Sequence, residues 1–271
     1  MENGGHIRIR AVKTDAFTME YFRFGQGDRT LVILPGLSVQ SVMKAADAVA
    51  EAYRLFADAF TVYVFERRKE LPETYSMRRM AEDTEAAIEA LGLERLSLFG
   101  ASQGGMLAMQ IAADRPENVR KLALGSTSPC VTEEQFRGIE RWIRFAKEGD
   151  AERLYFAFGE AVYPQAVFEQ SREALKAAAG TVTAEELRRF SILAESLRGF
   201  DITADLGRIT CPVLAIGDRD DRVLGAEAPA MTGRYLSGST PFESFLYDGC
   251  GHAAYDTAPD YKERLLKFFL Q

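Results

Sequence analysis

A chain of 271 residues is long enough for one large α/β core with an inserted subdomain, and 47% hydrophobic with 27% charged residues is the balance of a globular protein. No apolar run approaches the roughly 18 residues that cross a bilayer, so no membrane span is expected. The net charge of −7, with no dense Lys/Arg stripe against it, repels phosphate backbones and argues against nucleic acid as a partner.

The first residues, Met1-Glu2-Asn3-Gly4-Gly5-His6, carry neither a basic n-region nor an apolar h-region. No secretory signal is expected there, and the expected location is cytoplasmic. Residues 7–12 and 17–24 alternate as strands do, and Gly25-Gln26-Gly27-Asp28 makes the next turn, so the chain is expected to open with antiparallel strands. Leu31-Val32-Ile33-Leu34 is a fully apolar run ending in Pro35-Gly36, the pattern of a central strand buried on both faces. A helical stretch over about 42–57 leads to a second such strand at 60–65. Met80, Thr84, Ala87, Ile88 and Leu91 then recur at helical spacing over 77–91, with Gly92 as the stop. Strands at 96–99 and 119–124 flank a helix at 104–113. The alternation of strand and helix through residue 125 predicts a parallel sheet covered on both faces.

Between 130 and 200 the pattern changes, with apolar and charged residues mixed at helical spacing and no strand candidate. Gly149, Pro164 and Gly180 punctuate this stretch into about four helices. Pro212-Val213-Leu214-Ala215-Ile216 restores the buried-strand pattern, 242–247 is a last strand, and 261–269 a closing amphipathic helix. The expected organisation is a core of 1–129 and 201–271 interrupted by a helical cap at 130–200. Three cysteines, Cys130, Cys211 and Cys250, are an odd number without C-x-x-C spacing, which argues against a disulfide framework and a zinc site.

Chemistry enters at Gly100-Ala101-Ser102-Gln103-Gly104, a G-x-S-x-G pattern between a predicted strand and a predicted helix. A serine at such a hinge needs a strained backbone to lift its hydroxyl above the sheet, and a Cβ at either flanking glycine would strike the neighbouring strand or helix. The hydroxyl requires a base, and the chain has two histidines. His6 precedes the first strand, whereas His252 lies in Asp248-Gly249-Cys250-Gly251-His252, a glycine-rich loop just after the last strand. His252 is the candidate base. An acid must hold its imidazole in one tautomer, and Gly217-Asp218-Arg219-Asp220-Asp221-Arg222-Val223 follows the strand at 213–216. Asp218 sits too near the strand. Asp220 follows the strand-end glycine at the usual distance, while counting from Pro212, or back from Val223-Leu224-Gly225, selects Asp221. We take Asp221 as the acid and Asp220 as the alternative, and expect at least one of the three aspartates only to cap a helix beginning near Ala226. The backbone N–H groups of Gln103, after the serine, and of Leu37, beyond the Pro35-Gly36 turn, are the candidate oxyanion-hole donors.

Together these residues resemble the α/β-hydrolase superfamily over nearly the whole chain. The landmarks stand in family order: Leu34-Pro35-Gly36, Gly100-x-Ser102-x-Gly104, an Asp at 220–221 and Gly251-His252. The resemblance, to a capped member, implies an eight-stranded, mostly parallel sheet, a triad of Ser102, Asp221 and His252, and no cofactor or metal. Two positions depart from it. Pro35 replaces the usual histidine of the oxyanion loop, and Glu66 to Ser76 replaces the D-x-R/G-x-G-x-S loop after the fourth strand.

The expected function is therefore a serine hydrolase of esterase type, acting on a small, apolar acyl substrate. The competing expectation is a hydrolase-like ligand receptor or regulatory protein that keeps the triad. A dinucleotide-binding oxidoreductase is disfavoured, because Ser102 occupies the middle glycine of G-x-G-x-x-G. A serine nucleophile also disfavours the dehalogenase and epoxide-hydrolase chemistries of the superfamily, which use a carboxylate. Trp142, Phe145, Tyr155, Phe156 and Phe158 are candidate walls of an apolar pocket, with packing of the cap on itself or on the sheet as the alternative role. The oligomeric state is left open.

Overall fold

The computed structural model describes residues 6–271. Residues 1–5, where no secretory signal was expected, lie outside the described residues. The strands are β1 (Arg10–Lys13), β2 (Thr18–Phe24), β3 (Arg29–Leu34), β4 (Phe60–Arg68), β5 (Leu96–Ala101), β6 (Val119–Gly125), β7 (Val213–Asp218) and β8 (Phe242–Tyr247). They form one sheet in the order β1-β2-β4-β3-β5-β6-β7-β8. β1 and β2 run antiparallel at one edge, and all pairings from β4 to β8 are parallel. The parallel strands read as apolar runs because both their faces are covered. Leu31, Ile33, Val62, Val64, Phe99 and Ile216 pack into one core, and the alternate residues Val32, Leu34, Leu98, Leu122 and Val213 into the other.

The core helices are α1 (Ala46–Ala52), α2 (Met77–Ala90), α3 (Gln103–Asp114), α8 (Ala228–Tyr235), α9 (Ala254–Thr257) and α10 (Tyr261–Leu270). The helical stretch expected over 42–57 is broken into a 3-10 turn at Val42–Ala45, α1, and a second 3-10 turn at Arg54–Phe56. β4 runs three residues past the predicted end at Phe65, taking in Glu66, Arg67 and Arg68. These charged residues stay in the strand because each has partners there. Glu66 faces Arg189, Arg67 donates to Pro35, and Arg68 pairs with Asp83.

Between β6 and β7 lie α4 (Glu133–Lys147), α5 (Ala151–Val162), α6 (Gln165–Ala179) and α7 (Ala184–Glu195). Their starts are written in the chain: Thr132 with Gln135, and Thr183 with Glu186, form capping boxes, and Asp150 caps α5. The two ends of this segment are joined at its base, where Val131 N–H donates to Phe200 O at 2.9 Å and Ile202 N–H to Pro129 O at 2.9 Å. No helix among the described residues is long and apolar enough to cross a membrane.

One carboxyl on α2 is held against its charge. Glu85 has a buried Oε1 with no partner, and Arg115 Nε stands 3.6 Å from its Oε2. Burial, with the charge of Asp114 adding to it, pushes this carboxyl up to about 7. The folded protein thus keeps the proton to a higher pH than the unfolded chain does, and stability is drawn down as pH rises from the ordinary glutamate range toward that value. Glu85→Gln should melt with the parent at about pH 4 and at a higher temperature than the parent at about pH 8 in a calorimetric scan. Equal melting at both would contradict the assignment.

Candidate active site

The nucleophile candidate is positioned by a steric constraint. Ser102 has φ 50° and ψ −122°, a left-handed conformation that costs a non-glycine residue about 1–3 kcal/mol. The chain accepts it because β5 and α3 meet too closely for any other path. A Cβ on Gly100 would lie 2.3 Å from Gly104 O, and one on Gly104 would lie 1.9 Å from Leu34 O. The Ser102 backbone is tied on both sides, its N–H donating to Gly125 O at 2.8 Å and its carbonyl accepting from Thr127 Oγ1 at 2.7 Å.

Parallel pairing brings the other loops to the same sheet edge. His252 follows β8 and Asp221 follows β7, and both side chains are buried. His252 Nδ1 lies 2.9 Å from Asp221 Oδ2, and His252 Nε2 lies 2.9 Å from Ser102 Oγ. Burial alone would raise the Asp221 carboxyl. The charge and hydrogen bond of His252, with the amides of Leu224 and Val223, outweigh it and hold the carboxyl below the usual range. An ionised carboxylate only accepts, so Nδ1 carries the hydrogen, Nε2 is left as an acceptor, and the Ser102 hydroxyl donates to it.

The three aspartates divide their work, and none caps a helix. The cap residue of α8 is Glu227, whose side chain makes no capping bond, so the expected capping role is not seen. Asp218 ends β7 and accepts from the Cys250 and Asp220 amides at 2.8 Å each. Asp220 accepts from Gly249 N–H at 2.9 Å. Both brace the loop that carries His252, while Asp221 meets the imidazole. His6 is elsewhere, against Asp47 of α1.

The Pro35–Leu37 turn leaves β3 beside the serine, since Leu34 pairs with Gly100. A Cβ on Gly36 would lie 3.2 Å from Ser102 Cβ. The Gln103 amide is in the first turn of α3, where an N–H has no acceptor within the helix. The Gln103 side chain was not singled out by the sequence, yet it is buried. Its Nε2 donates to Leu193 O of α7 at 2.7 Å, and its Oε1 accepts from Arg67 at 3.1 Å.

Ser102 and His252 open into a cavity of about 20 Å³, space for roughly one water. Its other walls are apolar, among them Leu37, Met106, Ile139, Trp142, Phe158 and Leu224. Of the five aromatic candidates only Trp142 and Phe158 reach it, their ring centroids 4.9 Å apart. Phe145 instead lies under the guanidinium groups of Arg141, Arg144 and Arg153, Phe156 packs on Phe168, and Tyr155 donates to Gln40 Oε1. The packing role is the correct one for these three.

A model of the alpha/beta hydrolase family matches residues 22–261. A protein of Agrobacterium fabrum named "Putative carbamate hydrolase RutD" is 26% identical over 223 residues, covering 79% of this chain and 84% of its own length. MGS-M2, an alpha/beta hydrolase enzyme from a Medee basin deep-sea metagenome library, superposes with a TM-score of 0.86 at 22% identity, over 97% of this chain and 98% of its own. The enol-lactonase from Burkholderia xenovorans LB400 superposes with a TM-score of 0.80 at 14% identity, over 97% of this chain and 100% of its own.

The close packing at the serine predicts unequal costs for two glycine substitutions. Gly104→Ala should lose the cooperative melting transition or lower it by well over 10 °C, because backbone stands where the methyl must go. Gly138→Ala, in α4 with nothing within 4 Å, should melt slightly higher, by about 1 kcal/mol of stability. Similar melting of the two variants would contradict the packing.

Proposed function

The chain belongs to the alpha/beta hydrolase family, and on that premise we propose that it is a serine hydrolase cleaving ester-type bonds of small apolar acyl substrates. The observation that carries this reading is the unbroken hydrogen-bonded line from Asp221 through His252 to Ser102, with 2.9 Å at each step. In the reaction, Ser102 Oγ attacks the acyl carbon as His252 Nε2 takes its proton, and Asp221 stabilises the imidazolium that forms. The Leu37 and Gln103 amides donate to the developing oxyanion. Collapse of the tetrahedral species transfers the proton from His252 to the leaving alcohol, and a water activated by the same imidazole then releases the acid.

We assign α4–α7, within residues 130–200, as a cap over the core formed by 1–129 and 201–271. Trp142 and Phe158 from this segment close the cavity, so a substrate enters when the cap helices shift. No charged side chain lines the cavity, which favours an uncharged acyl group over one bearing a second carboxylate. The name of the Agrobacterium fabrum relative makes a carbamate the competing acyl class.

The test is turnover of graded acyl esters and a carbamate of matched size, with fluorophosphonate labelling of the protein. Short acyl esters should be hydrolysed faster than the carbamate, and the label should map to Ser102 and be absent from Ser102→Ala. Asp221→Asn should lower kcat by about 10⁴-fold through the wrong imidazole tautomer. Asp220→Asn should stay within about threefold of the parent, since an amide oxygen still accepts from Gly249. Parent-like turnover of Ser102→Ala would refute the serine mechanism, and faster turnover of the carbamate would reassign the substrate class.

A further inference from the structure

Arg67 is a cation that the mechanism above does not use. Its side chain is at the carboxyl end of β4, 3% exposed, and no carboxylate among the described residues forms an ion pair with it. The adjacent Glu66 carboxylate accepts from Ser41 Oγ, Val42 N–H, Arg189 and the backbone N–H of Arg67, so it meets the Arg67 guanidinium through charge and not through a hydrogen bond. Arg67 Nε is buried without a partner. Burying a guanidinium that no carboxylate hydrogen-bonds is costly, and the charge of nearby Glu66 offsets only part of its desolvation.

What the guanidinium touches is specific. The single nitrogen Nη2 donates to Pro35 O at 2.8 Å and to Gln103 Oε1 at 3.1 Å. Pro35 begins the turn that presents the Leu37 amide, and Gln103 supplies the other amide beside Ser102. Gln103 Nε2 continues the line to Leu193 O at 2.7 Å and Ser196 Oγ at 3.2 Å, at the end of α7. One cation thus joins the two segments whose N–H groups must converge on one oxygen. Such donors act only within about 0.4 Å of their working distance, and a misplacement near 1 Å costs about 100-fold in rate.

Building on the serine-hydrolase reading, we propose that Arg67 is a positioning residue that fixes the spacing between the Leu37 and Gln103 halves of the oxyanion hole.

The experiment compares the parent with Arg67→Met and Arg67→Lys on a short acyl ester, following kcat, KM, the pH dependence of kcat/KM and thermal melting. Arg67→Met should lower kcat by about 10- to 100-fold with KM within about threefold, and slow fluorophosphonate labelling in step. The pH profile of kcat/KM should not move. Arg67→Lys keeps the charge but has a compact ammonium in place of the fork, so it should recover part of kcat and serve as the test if Arg67→Met does not fold. A parent-like kcat in either folded variant, or a loss carried by KM or by a displaced pH profile, would overturn the positioning role. A parent that neither turns over esters nor takes the label at Ser102 would overturn the serine-hydrolase reading itself, and this proposal with it.

Discussion

The closeness of α3 to the ends of β3 and β5 is the constraint on which the site depends. With only 1.9 Å available between a Cβ on Gly104 and the Leu34 carbonyl oxygen, the helix can begin there only if its second residue has no side chain. The chain must then turn in a single residue, and Ser102 takes the left-handed backbone that results. The strain is tolerated because Gly125 O and Thr127 Oγ1 hold the residue from both sides. Its hydroxyl is thereby raised over the carboxyl edge of a parallel sheet, the edge where the loops after β3, β7 and β8 arrive.

Those loops are arranged by charge. Asp218 and Asp220 spend their carboxylates on backbone amides of the loop after β8, so the histidine is delivered on a braced segment rather than a free one. Asp221 is left to the imidazole, and its depressed pKa keeps it an acceptor through the neutral range. On the other side of the serine, Arg67 and Gln103 form a buried polar line from the turn after β3 to α7. The other side chains lining the cavity are apolar, so the hydroxyl and imidazole face no competing charge there.

Much of this was legible in the residues. Apolar runs located β3, β5, β6 and β7 because strands buried on both faces cannot hide polar side chains, and Gly149, Pro164 and Gly180 divided α4 to α7 because each breaks helical backbone. Scarcity of histidine and the order of loops selected Ser102, His252 and the aspartate cluster. Choosing among Asp218, Asp220 and Asp221 rests on which carboxylate meets an amide and which meets the ring, a three-dimensional matter that spacing alone left open. The extension of β4 through Arg68 was hidden because its charges read as solvent-exposed until Arg189, Asp83 and Pro35 are placed around them. The same holds for the Gln103 side chain, whose partners lie 36 and 90 residues away. For Phe145, Tyr155 and Phe156, helical spacing gave composition without direction: Phe145 and Phe156 meet residues of α4 to α6, and Tyr155 reaches Gln40 after β3.

The central claim is that Ser102 forms a covalent acyl-enzyme. It is tested most directly by mixing the protein with a short acyl ester, quenching with acid within the first turnovers, and mapping the peptides by mass spectrometry. The account predicts one added acyl group on the peptide carrying Gly100 to Gly104, fragmenting at Ser102 and appearing in a burst before steady release of acid. Steady hydrolysis with no acylated peptide, or an acyl group on any other residue, would contradict it.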